Sequence, residues 1–208
     1  MNRKHLLRIA TIIIAILIIS MVVITFLSNS NHVSVQVYYD GQNISVKTNT
    51  FPNIFHEDNQ LKNEIQTYTL REVNELNSTT SSLEDGITDI IHKNGYEVMD
   101  IKISSQYGNN QLVMPINVDG TSMEGTLSNG STVVILKSKN FHVGDIVVAN
   151  HPSYGPIIKR VSKVNQDIVY LRSDNRNVTY INGIPYKGVD TWVSKEMIWG
   201  IYKFTLNN

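Results

Sequence analysis

The strongest constraint in this chain is the run IATIIIAILIISMVVITFL, nineteen residues from Ile9 to Leu27 without a charge. At about 1.5 Å per residue a helix of that length covers about 28 Å, close to the hydrocarbon thickness of a bilayer. A cleaved export signal carries an apolar stretch of roughly 7–15 residues and an Ala-x-Ala-like exit. This run is longer and leaves through SNSNH, so the expectation is an uncleaved transmembrane anchor over 9–27. Arg3, Lys4, Arg8 and His5 precede it and the first lysine after it is Lys47. Basic residues stay on the cytoplasmic side, which puts residues 1–8 in the cytoplasm and everything from Ser28 onward outside the cell, on a single-pass protein of the cell membrane.

With 208 residues the chain has room for that anchor, a small module and a medium domain. Lys plus Arg balances Asp plus Glu at 18 each, so no global field favours a nucleic-acid partner. Cysteine is absent, which excludes a disulfide framework, a thiol nucleophile and a thiolate metal site.

After the apolar run, VSVQVYYDGQNISVKT alternates apolar and polar residues on either side of Asp40-Gly41, the pattern of a hairpin. Leu61, Ile65, Tyr68, Val73 and Leu76 recur at helical spacing. A second helix is expected with Ser82 as its cap, Leu83, Ile87, Ile90 and Ile91 as its apolar face and Gly95 past its end. Met99, Ile101 and Ile103 then alternate as a strand. Residues 28–110 therefore read as an extracytoplasmic α+β module without a chemical motif. From 111 to 208 the texture changes to short strands and turns, including the hairpin signal Asn182-Gly183, which predicts a mainly β domain of coiled or barrel-like antiparallel sheets.

The chemistry turns on VDGTSMEGTL, residues 118–127, where glycines bracket Ser122-Met123. A serine in such a turn usually bonds local backbone; it becomes a nucleophile only if a base serves it. His151 sits in a turn before proline. Lys159, in PIIKRV, shares a strand face with Ile157 and Val161. An apolar environment lowers a lysine's pKa from about 10.4, by as much as about 3–5 units. A neutral amine there takes the serine proton during attack on a peptide carbonyl and returns it to the leaving amine.

Four blocks in order, PINVDGTSMEGTL, GDIVVAN, IIKRV and SDNRNVT, with Lys159 37 positions after Ser122, make the segment from Val113 to Phe204 resemble type I signal peptidases and the wider Ser-Lys peptidase clan they share with self-cleaving repressors. The resemblance implies Ser122 as nucleophile, Lys159 as general base and Met123 as a residue shaping the substrate cleft. Asp174, Asn175 and Arg176 match a supporting block, with Ser173 in place of its glycine. Thr179 matches the hydroxyl that orients the lysine. Ile181 and Gly183 stand where relatives carry a bracing Asp and Arg, leaving Asp190 as the candidate substitute; Gly125 replaces a usual proline. The implied activity is removal of signal peptides from exported preproteins, after small residues at −1 and −3. It needs neither cofactor nor metal, and its partners are those preproteins and the lipid bilayer. A self-cleaving repressor shares the dyad but needs a DNA-binding helical domain; an inactive membrane-tethered β-domain is the other alternative.

Overall fold

The computed structural model describes residues 3–28, 31–52, 57–181, 183–186 and 188–206. Helix α1, Arg3–Ser28, opens the chain. The large apolar side chains described between Ile9 and Ile24 are at least half exposed and join none of the core clusters. The expectation of a β domain preceded by a transmembrane helix is corrected here: among the described residues no helix is long and apolar enough to cross a membrane. What is observed is a mainly β protein with a seven-stranded half-barrel sheet, a smaller sheet and, among the described residues, three α-helices.

The smaller sheet has the order β2-β1-β3-β4. Strands β1 (His32–Tyr39) and β2 (Ile44–Phe51) pair as the alternation requires, Val37 opposite Val46. Asp40 closes their turn, its Oδ1 accepting the Gln42 and Asn43 N–H groups at 2.9 and 2.7 Å, and Gly41 takes φ +99°. Strand β3 (Glu97–Ser105) runs parallel to β1, Val35 opposite Ile101, and β4 (Gly108–Asn109) finishes that edge. The crossover from β2 to β3 carries helices α2 (Asn59–Val73) and α3 (Thr80–Lys93). They bury Leu61, Ile65, Leu83, Ile87 and Ile91 beside Val33, Val35 and Val37. Asp58 caps α2 through the Leu61 N–H. At α3 the cap is Thr79 rather than Ser82: the two side chains bond each other's backbone N–H at 3.1 and 3.0 Å, so Ser82 is the return half of a capping box.

The larger sheet follows the order β12-β9-β8-β7-β13-β6-β5. Its strands are β5 (Val113–Asn117), β6 (Thr132–Leu136), β7 (Ile146–His151), β8 (Gly155–Asn165), β9 (Ile168–Arg172), β12 (Thr191–Ser194) and β13 (Ile198–Leu206). Strands β10 (Thr179–Ile181) and β11 (Ile184–Tyr186) pair separately across Asn182-Gly183; Asn182 lies outside the described residues. Alternation gives β7 two apolar faces. Val147 and Ala149 pack with Val161, Val169 and Leu171, while Ile146 and Val148 pack with Val133, Ile135 and the buried Met123 and Leu127. Leu112, Val113, Val134 and Leu136 join the α2–α3 core, so one apolar cluster draws on both sheets.

Candidate active site

Ser122 sits in the turn between β5 and β6, and each side of that turn has a physical cause. Gly120 and Gly125 hold φ +92° and +93°, left-handed conformations that side chains resist. The Glu124 N–H donates to the Thr121 carbonyl at 3.1 Å, and past Gly125 the Leu127 N–H donates back to the Met123 carbonyl at 2.8 Å. Met123, at 1% exposure, anchors the turn in the core beneath it. Its side chain therefore fixes the nucleophile's loop from below.

Lys159 comes from the middle of β8, opposite Val147 and two residues before Val161, both fully or nearly fully buried. The strand period places its stem along this apolar wall, and only 5% of the residue is exposed. Its Nζ reaches Ser122 Oγ and forms a hydrogen bond. Burial pushes the amine's pKa below the ordinary lysine value, while the Asp190 carboxylate pulls weakly the other way. Desolvation disfavours the ammonium, and the neutral amine has the lone pair that general-base chemistry needs.

The block after β9 holds the turn. The Asn175 N–H donates to the Ser122 carbonyl at 3.0 Å and its Nδ2 to the Thr121 carbonyl at 2.9 Å. One side chain and its own backbone thus clamp two successive carbonyls and fix the peptide that carries the serine. Asp174 holds the far end, accepting from Thr126 Oγ1 at 2.7 Å and from Arg160 Nε and Nη2 at 2.8 and 2.5 Å. That bidentate pair keeps the Asp174 carboxyl below the usual range. Arg176 binds Asp190 Oδ2 at 2.6 Å, and the Ser173 N–H donates to Asp190 Oδ1 at 2.9 Å. Arg176 therefore acts on Asp190 rather than on the serine turn. Thr179 begins β10, and its side chain lies outside the described residues.

His151 is engaged elsewhere. Its Nε2 meets Thr191 Oγ1 at 3.0 Å, its Nδ1 accepts the Ser153 N–H, and its ring packs on Tyr154. Sequence reasoning missed Gly188. A Cβ built there would lie 3.2 Å from the Ser122 Cβ and 2.4 Å from Ser173 Oγ. A lone glycine in a loop carries no pattern that points to such a contact.

A buried amine bonded to a serine hydroxyl, mounted on a curled antiparallel sheet, belongs to the class of Ser-Lys serine peptidases. The sequence comparison agrees: the family described as Peptidase S24-like matches residues 82–189, just over half of the chain, and the chain belongs to that family. Neither the curated proteins nor the solved structures contain a match to it.

Proposed function

We propose that Ser122 is the nucleophile and Lys159 the general base of an endopeptidase that removes signal peptides from exported preproteins. The observation that carries the chemistry is the contact between the Nζ of Lys159, a residue 5% exposed, and Ser122 Oγ. In this reading the hydroxyl proton passes to the neutral Lys159 amine as Oγ attacks the scissile carbonyl. The Ser122 N–H, which has no hydrogen-bond partner among the described residues, then donates to the developing oxyanion. The ammonium protonates the leaving amine, and water completes the cycle by the same proton relay on the acyl-enzyme.

The balance of 18 Lys plus Arg against 18 Asp plus Glu, which offers no field for DNA, supports an exported-precursor substrate over a repressor's own chain. The reaction then takes place at the outer face of the cell membrane, where precursors emerge. The test is incubation of the full chain with secretory precursors bearing small residues at −1 and −3, beside Ser122→Ala and Lys159→Met. Release of the mature protein by the wild type alone is expected. Inertness toward several precursors sinks the signal-peptide reading, self-cleavage in their place moves the assignment to the repressor-like branch, and cleavage by Lys159→Met sinks the dyad.

A further inference from the structure

Residues 188–190 form a strap behind the dyad. Ser173, 2% exposed, ties it down through its N–H to Asp190 Oδ1 and its Oγ to the Val189 carbonyl at 3.3 Å. Gly188 lies where the strap passes closest to the nucleophile. Its φ is outside the left-handed region, so glycine is required here for clearance rather than for conformation. A Cβ at 188 would stand 2.4 Å from Ser173 Oγ, 2.8 Å from Ser173 Cβ and 3.2 Å from Ser122 Cβ. Rotating the serine hydroxyl relieves the first contact only; the second involves a Cβ that moves only with the backbone.

We infer that Ser173 and Gly188 are a coupled positioning pair, in which the serine side chain fills the space glycine leaves and the two together set where Ser122 stands against Lys159. The inference rests on the Ser-Lys reading of the site. Alanine at 188 drives the strap off Ser173 or pushes Ser122 away from the amine. Glycine at 173 removes both of the closest contacts, leaving only the 3.2 Å approach, which a shift of a few tenths of an ångström absorbs.

The experiment is a double-mutant cycle in the full chain, read by precursor cleavage and by the side-chain carbon resonance of Lys159 in lysine-labelled protein, assigned by its loss in Lys159→Met. Gly188→Ala is expected to lower kcat about 100-fold with little change in KM, the scale of a misplaced reacting group. Ser173→Gly alone should cost less than about tenfold, and the double variant should recover to within about tenfold of wild type, the signature of coupled neighbours. The Lys159 resonance should move in Gly188→Ala and return in the double variant. A double variant no better than Gly188→Ala, or a fully active Gly188→Ala, overturns the pairing. If Gly188→Ala does not fold, a folded and active double variant supports the pair, and an unfolded one overturns it. Should the wild type cleave no precursor while the resonance cycle holds, the peptidase reading fails and the pairing stands; cleavage with a resonance that never moves has the opposite meaning.

Discussion

The two sheets solve different problems with the same kind of strand. Around α2 and α3 the buried polar groups are hydroxyls, Thr48, Thr50, Thr69, Ser78 and Ser105, set among Val, Leu and Ile; the helix ends are capped and the interior is spent on packing. The half-barrel instead buries a lysine and carries the Arg160–Asp174 and Arg176–Asp190 pairs. Burying an amine opposes folding, and both desolvated lysines, Lys159 on β8 and Lys137 just after β6, come from the half-barrel. Stability and chemistry are therefore assigned to different parts of one chain, and substitutions separate them.

The largest expected effect is at Lys159. Lys159→Met should lower cleavage by about 10²–10⁴-fold, the usual contribution of a general base, while the melting temperature stays level or rises because the desolvated amine is gone. A marked fall in melting temperature would show that the amine is structural and erase the contrast. On the other side, Ile87→Ala in α3 should cost about 2–5 kcal/mol in urea unfolding, with kcat of the folded fraction unchanged. A loss of kcat would mean that the helices also position the site.

Lys137, next after β6, spans the two regions: its Nζ donates to the Glu75 carbonyl and to Ser78 Oγ at 2.5 Å each, in the connection between α2 and α3. Burial lowers its pKa from 10.5 to about 8, against the opposing pull of Glu72 and Glu75. Between those values the unfolded chain holds a proton that the folded chain has released, so stability rises with pH across that window. Lys137→Met is expected to flatten the rise in unfolding curves collected from pH 8 to 10; an unchanged slope would remove Lys137 as its source. The smallest effect is Thr79→Ala, about 1 kcal/mol from the lost cap of α3, measured by thermal unfolding and expected to leave cleavage untouched.

The sequence made some of this legible and hid the rest for physical reasons. Strand period two placed Lys159 with Val161 on one face of β8, and the glycines around Ser122 marked a turn, because both signals are local. The α3 cap was misplaced by three residues, since Thr79 and Ser82 are both hydroxyls and their reciprocal bonding is a matter of geometry. Met123 lies in the core, where an unbranched apolar side chain fills the space under the turn. The contacts of Gly188 with Ser122 and Ser173 join residues far apart in sequence and leave no periodic trace. The apolar run at the amino terminus forms a helix, but hydropathy alone overstated what it establishes about crossing a bilayer.

The apolar cluster shared by the two sheets bears on how the chain comes apart. Leu112, Val113, Val134 and Leu136 complete the interior beneath α2 and α3, and Gly41 sits so near Val134 that an added Cβ would approach its methyls to 2.9 Å. Cutting the chain after β4 would not liberate two self-sufficient pieces; it would strip the lining from one and the lid from the other. Heating should accordingly melt both sheets in a single transition, and a truncated catalytic half should lose its fold and its dyad together.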